Sequence, residues 1–485
     1  MNSGNVPLRT KVLKSFLWLS TGTFAGQLVS WVSTILVIRL LAPSDYGLMA
    51  MGSSFIALLS MLSELGISAA IIQTEHLKDE DIRKIFGLVL ITNLAGCAIS
   101  ILASPYVAAF FNEPKLVPLI RLLSLNFVII SLYLVPQSLF IREMDFRKKA
   151  HIDILSQVGA SAVTLVLAFL GMGVWALATG VLSIHAIKAL GFNMARPAWV
   201  SPSFRFKDTE ALTKFGITVA GSRILYYVYM EADKVIIGKF LGNEILGIYA
   251  VSLNLASMAV EKVVPIIIQI TFSAYSRAQN DVAWIRRNLL RTAHIIAFLS
   301  FPVFLGMAAI APEAIPLILG ARWATIVVPF QFLCLVMPLK ALNSILSPAV
   351  FAIGKPKVDL VNMAITSASM AGALLVGVQA GLMGICIAWV TAYPVIFCVT
   401  CVMYLRALTL PFTDYAAELA FPAGASVLTM GAVLLVKRTV NSALAPLPSL
   451  ILIIISAILV YLALVVIFKR DEYSKLRDLL KTNSA

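Results

Sequence analysis

Charge is scarce in this 485-residue chain: Asp, Glu, Lys and Arg make up 13% of it, about half the share usual in a soluble domain. Histidine and cysteine number only four and five, and they are too scattered for a metal cluster or a disulfide framework. No Walker A sequence of the form GxxxxGKS or GxxxxGKT occurs, so the chain has no phosphate-binding loop of its own. What fills the chain instead is apolar, 60% of all residues. Uncharged runs such as Ile451–Phe468 with the flanking Leu450 are long enough to cross a bilayer. Water-filled folds cannot hide so many of them, which excludes an ordinary soluble enzyme.

Cuts at charge clusters and turn residues leave fourteen segments: 14–41, 45–73, 83–111, 116–141, 150–170, 173–193, 214–240, 244–272, 289–319, 324–353, 358–379, 382–405, 414–436 and 447–468. Backbone amides in lipid must pair within the segment, and these runs lack the alternation of barrel strands. The expected fold class is therefore an all-α polytopic membrane protein of about fourteen transmembrane helices. Arg9, Lys11 and Lys14 precede the first span like a secretory signal, but its apolar stretch is too long and lacks a small-residue cleavage site. It reads as a retained helix.

The formal net charge of +14 would suggest nucleic acid in a soluble protein, yet the cations cluster in alternate loops. Lys78, Arg83 and Lys84 follow span two; Arg142, Arg147, Lys148 and Lys149 follow span four; Arg196, Arg205, Lys207 and Lys214 follow span six. Arg277, Arg286 and Arg287, then Lys355 and Lys357, and a basic tail from Lys469 to Lys481 continue the pattern. Opposite loops such as Gly171-Met172-Gly173 and Leu241-Gly242-Asn243 are short and uncharged. Lys and Arg are retained on the cytoplasmic side, so both termini are expected there and no nucleic-acid partner is needed to explain the charge. Attraction to anionic lipid headgroups is a second use for the same cations.

Compared with itself at an offset of 200, the chain matches: Arg39-Leu40-Leu41-Ala42 and Gly47-Leu48-Met49-Ala50 align with Lys239-Phe240-Leu241-Gly242 and Gly247-Ile248-Tyr249-Ala250. Ile82-Arg83-Lys84 also resembles Ile285-Arg286-Arg287, and Pro118 to Leu125 resembles Pro329 to Leu335. The order favours two related six-helix lobes, 1–193 and 214–408, joined by a cytoplasmic linker at 194–213. Two further helices at 409–468 and a cytoplasmic tail at 469–485 complete the expected organisation. Six is even, so the lobes should share one orientation, related by an axis along the membrane normal around a cavity that rocking exposes to either side.

Ionisable groups deep in a span cost about 2.5–3.5 kcal/mol on insertion scales, so they normally face protein or water. Arg223, Tyr227, Met230 and Lys234 fall on one face of span seven, with Glu231 and Asp233 elsewhere on its circumference. Glu261 and Lys262 are adjacent in span eight, and Ser53, Ala57, Ser60 and Glu64 form a small polar face of span two. Arg121 and Lys340 are further candidates. The bland alternative is that neighbouring charges neutralise each other or that cations near span ends snorkel, as expected of Arg39, Lys188, Lys239 and Arg291. Five deep cations (Arg121, Arg223, Lys234, Lys262, Lys340) against four deep acids (Glu64, Glu231, Asp233, Glu261) favour an anionic substrate. The acids remain candidates for ion coupling or charge pairing.

Other signals carry little. Cys398-Val399-Thr400-Cys401 has redox-motif spacing inside a span without a thioredoxin-like context, and Cys97, Cys334 and Cys386 are isolated. His76, His151, His185 and His294 are dispersed; Asp79-Glu80-Asp81 reads as a solvated helix start; Gly22 and Gly26 read as a close helix contact. Neither a metal nor a cofactor is expected.

Four stretches together resemble the oligosaccharide flippase and polysaccharide transporter family, the Wzx-type proteins of the multidrug/oligosaccharidyl-lipid/polysaccharide superfamily. They are Arg39-Leu-Leu-Ala-Pro-Ser-Asp45-Tyr46-Gly47, Arg142-Glu-Met-Asp145-Phe146-Arg147-Lys148, Gly173-Val-Trp175-Ala-Leu177, and Asp233-Lys-Val-Ile-Ile-Gly238-Lys239-Phe-Leu-Gly242 with Leu246-Gly247-Ile-Tyr249. One departure is Glu231, where the family pattern has an amide two residues before the Asp. The resemblance implies a multi-pass protein of the bacterial inner membrane that is not an enzyme. It implies transfer of an undecaprenyl-pyrophosphate-linked oligosaccharide to the periplasmic leaflet for exopolysaccharide or lipopolysaccharide assembly. It also implies a polysaccharide polymerase and export machinery as partners, and a place for the lipid tail at the two extra helices. The residues add their own reading: Arg223, Lys234 and Lys262 attract the headgroup while the tail stays in lipid.

A cation-coupled multidrug exporter of the same superfamily is the main alternative, and it predicts a net acidic cavity. A polymerase or glycosyltransferase would need a larger external loop than Lys437 to Leu447, and a major-facilitator carrier would need its glycine- and arginine-rich loop after span two.

Overall fold

The computed structural model describes residues 30–63, 78–143, 145–195, 201–204, 210–279, 281–440 and 446–468. Helix is the only regular secondary structure among them, as backbone polar groups in hydrocarbon require. Ten stretches are long and apolar enough to cross a membrane, or eleven if α1 (Ser30–Leu40) and α2 (Pro43–Ser63), bent by 119° between them, form one span. The count falls below fourteen for two reasons. The first expected span begins outside the described residues, and two stretches each hold two expected spans. Within α7 (Glu210–Arg277) the break is Gly242, whose φ of 81° suits a residue without Cβ. The stretch Pro356–Ala407 is broken at a short 3-10 turn, Val378–Ala380.

The chain divides into two compact units, Met1–Gly247 and Ile248–Ala485. In the first, α3 (Asp79–Phe111) and α4 (Leu116–Arg142) form one hairpin, α5 (Phe146–Phe169) and α6 (Val174–Ala195) another, and α2 packs on α4 and α3. Asp45 ties two of the family-like motifs together: its carboxylate accepts the Ala42 amide at 3.1 Å and the Val174 amide at 3.0 Å. It thus serves the N-termini of both α2 and α6, where the helix dipoles favour an anion.

The internal repeat has a direct structural counterpart in this unit. A methyl added to Gly47 would overlap the Asn243 carbonyl oxygen, and one added to Gly247 would overlap the Pro43 carbonyl oxygen. Positions 43 and 243, and 47 and 247, are the offset-related pairs, so the contact is reciprocal. Only glycine lets the two backbones approach this closely.

The second unit contains α8 (Val282–Leu319), α9 (Val327–Ser344), α10 (Leu346–Ala352), α11 (Pro356–Gly377), α12 (Gly381–Ala407), α13 (Phe412–Val440) and α14 (Pro446–Phe468). Helices α13 and α14, the pair outside the expected repeat, pack chiefly on α8 and on each other. Three polar ties fasten them: Lys437 Nζ reaches Glu313 at 2.7 Å and the Ala309 carbonyl at 2.6 Å; His294 Nδ1 lies 3.0 Å from Glu418; the Tyr461 hydroxyl donates to the Phe298 carbonyl at 3.1 Å.

Two cations expected only to set orientation prove to be clamps. Arg83 donates to the Ser201 carbonyl at 3.1 Å and to its hydroxyl at 2.5 Å, while the Ser203 amide donates back to the Arg83 carbonyl at 2.9 Å. Its repeat counterpart Arg286 donates to the Leu408 carbonyl at 2.6 Å. Each grips the segment that leaves the sixth expected span of its own half.

Candidate functional site

Among the candidate deep charges, those that meet in the described residues lie where α7 meets α2. Lys234 Nζ is 2.7 Å from Glu231 Oε1, and the other oxygen of that carboxylate accepts the Ser54 hydroxyl at 2.5 Å. The side chains of Lys234 and Glu231 keep 24% and 15% of their surface exposed, so the pair is neither sealed nor fully exposed. Ser54 is buried on α2, and Asp233, 6% exposed, accepts the Lys234 backbone amide at 2.8 Å.

The expected face of span seven is retained in part. Tyr227 and Lys234 are half-buried and Met230 is exposed, while the Arg223 side chain lies outside the described residues. Glu231 does not stand apart from Lys234: an i, i+3 separation is only about 60° around a helix, close enough for the two to meet. On span two the side chain that reaches the site is Ser54, not the expected face of Ser53, whose hydroxyl turns back to the Ala50 carbonyl at 3.2 Å. Glu64 lies outside the described residues, as do the side chains of Glu261 and Lys262.

Arg121 and Lys340 are elsewhere. Arg121 is exposed on α4 and donates to Ser104 on α3 at 3.3 Å, in a seam that also buries Ser100 and Ser124. Its hydrogen-bond partner is a neutral hydroxyl, so this contact leaves its charge available to an anion. Lys340, in the second unit, holds its ammonium 4.4 Å from the centre of the Trp389 ring. The Trp389 indole donates to the Tyr249 hydroxyl at 2.9 Å, and Tyr249, from the Leu246-Gly247-Ile-Tyr249 motif, is fully buried. A cation over a desolvated indole face gains about 2 kcal/mol.

Among the cations expected to snorkel, Arg39 and Arg291 are exposed. Lys188 pairs with Asp153 at 3.2 Å, an acid shared with Lys149 at 2.6 Å, and Lys239 caps the Phe110 carbonyl at 2.6 Å. Sequence reasoning missed the buried Lys437–Glu313 pair, placing Lys437 at an external loop. An acid between Pro312 and Pro316, inside an apolar run, was the available signal.

Among the described residues no group of His, Cys, Asp or Glu could hold a metal ion. Cys398 is exposed and Cys401 buried on α12, both as free thiols. Asp79, Glu80 and Asp81 form the first turn of α3, where Asp81 accepts the Lys78 amide at 3.1 Å, as a helix start should.

This geometry sits on a known fold. The structure titled "Lipid II flippase MurJ, inward closed conformation" matches with a TM-score of 0.74, covering 94% of this chain and 100% of that one at 15% identity. The lipopolysaccharide biosynthesis protein WzxC of Escherichia coli is 25% identical over 359 residues, 73% of this chain and 72% of that protein. The succinoglycan biosynthesis transport protein ExoT of Rhizobium meliloti is 26% identical over 311 residues, 63% of this chain and 61% of that protein. Residues 36–328 match the model of a family described as "Polysaccharide biosynthesis protein", more than half of the chain and a range enclosing Arg121, Arg223, Glu231, Lys234 and Lys262. The chain is therefore an integral membrane member of that polysaccharide biosynthesis family.

Proposed function

We propose that the protein is a flippase that carries undecaprenyl-pyrophosphate-linked oligosaccharide units from the cytoplasmic to the periplasmic leaflet of a bacterial inner membrane by alternating access. The observation that carries this reading is the family match, because it spans the α2–α7 charge group. A pyrophosphate headgroup needs cations in a partly hydrated setting, and Lys234 and Arg121 supply them, with Arg223, Lys262 and Lys340 as further candidates. The polyprenyl tail stays in lipid and needs no polar partner. An inside-negative potential assists outward movement of an anion by about 2.3 kcal/mol per charge for each 100 mV.

Deletion of the protein in its host should leave a lipid-linked oligosaccharide on the cytoplasmic leaflet, detectable by mass spectrometry of extracted lipid. Replacing Arg223, Lys234 and Lys262 together with neutral residues should lower flipping while membrane insertion persists. Normal export by that variant refutes the site, and drug sensitivity without lipid accumulation on deletion favours an exporter.

A further inference from the structure

We propose that Glu231 is a positioning residue for anion transfer: it holds Lys234 in reserve, yields it to the phosphate group of the transported lipid, and thereby gives up its own tie to Ser54 on α2. This rests on the flippase reading above and adds to it the device by which capture of the headgroup reaches a second helix.

The geometry divides one carboxylate between two tasks. Oε1 faces Lys234 on its own helix, and Oε2 takes the Ser54 hydroxyl from α2. The Lys234 side chain is a quarter exposed, so an incoming anion can reach it without unfolding the site. A pyrophosphate carries more negative charge and more acceptor oxygens than a carboxylate, so it competes well for the same cation. Once Lys234 turns to the phosphate, the Glu231 carboxylate has lost its counter-charge in a mostly buried position, which disfavours its staying there. Leaving means giving up Ser54. On release the carboxylate takes Lys234 back, which helps shed the anion.

The repeat argues that this pair serves activity more than folding. At the offset of 200, Glu231, Lys234 and Ser54 correspond to Trp31, Thr34 and Asn254, none of them charged. One copy of the repeat is thus built without the ion pair, while both copies keep the glycine of the crossing they make together.

The test uses the full chain, purified and reconstituted, with a fluorescent polyprenyl pyrophosphate bearing one sugar as the probe. Affinity is read in detergent, and leaflet transfer by chemical quenching in liposomes. Glu231→Gln keeps the size and an acceptor for Ser54 but releases Lys234; it should bind the probe roughly tenfold more tightly and transfer it more slowly. Lys234→Met should weaken binding, and Glu231→Gln should add nothing in that background. Ser54→Ala leaves every charge in place and covers the case in which Glu231→Gln does not fold. It should keep the affinity and abolish the probe-dependent change in a label-to-label distance between α2 and α7. Glu231→Gln that matches wild type in both affinity and rate, or that tightens binding equally without Lys234, overturns the inference while the flippase reading stands. Wild-type protein that neither binds nor moves the probe overturns that reading, and the inference with it.

Discussion

Replacing Lys437 with Met tests how the two helices beyond the repeat are held. Lys437 Nζ lies 2.7 Å from Glu313 and 2.6 Å from the Ala309 carbonyl, with side-chain exposures of 11% for the lysine and 19% for the glutamate. Met preserves most of the packing volume but strands a carboxylate between α8 and α13. Removing one partner of a buried ion pair costs about 3–5 kcal/mol, because the remaining charge is left without compensation. The residual exposure of Glu313 lets water reach it, so the lower end, about 3 kcal/mol, applies. At about 2–4 °C per kcal/mol for a unit of this size, the thermal midpoint should fall by about 6–12 °C. The double variant Lys437→Met with Glu313→Leu removes both desolvation penalties and should return to within about 1 kcal/mol of wild type, or exceed it. Intrinsic tryptophan fluorescence of the detergent-purified full chain during heating reads wild type, the single variants Lys437→Met and Glu313→Leu, and the double variant. Additive losses, or a Lys437→Met midpoint equal to wild type, would refute the claim that this pair pins α13 to α8.

Three further outcomes follow from the described contacts. Gly47→Ala and Gly247→Ala each place a methyl on the opposing carbonyl, so each should cost about 1–3 kcal/mol as overpacking and lower transport; a neutral result for either, in stability and transport assays, contradicts the reciprocal crossing. Asp45→Ala strips acceptors from the Ala42 and Val174 amides and should destabilise the first unit by about 2 kcal/mol, with faster hydrogen exchange at both helix starts and little change elsewhere. Arg286→Ala should expose the Leu408–Leu410 segment to limited proteolysis while leaving the rest of α8 protected, since its guanidinium holds that segment by the Leu408 carbonyl.

Some of the site was open to inspection in the sequence, and the reason is spacing. Lys234 and Glu231 are three residues apart on one helix, so their meeting follows from helix geometry once the period is applied strictly. The offset that aligned Gly47 with Gly247 was readable as a pattern, although that the two glycines touch was not. Arg83 and Arg286 illustrate the opposite case. Their charge had a sufficient explanation in orientation, which concealed the carbonyls at Ser201 and Leu408 that they grip.

What the sequence by itself determined is the helical class, the placement of most spans and the family. The solvent imposes these: lipid forces each backbone to satisfy itself locally, so composition over about 20 residues decides the outcome. Which charges are neutralised, and by what, was decided only in three dimensions. Ser54 reaches Glu231 across 177 residues and Lys437 reaches the Ala309 carbonyl across 128. No local period links such partners; helix packing alone brings them within hydrogen-bonding distance, and in a low-dielectric interior that proximity determines whether a buried charge is held or available.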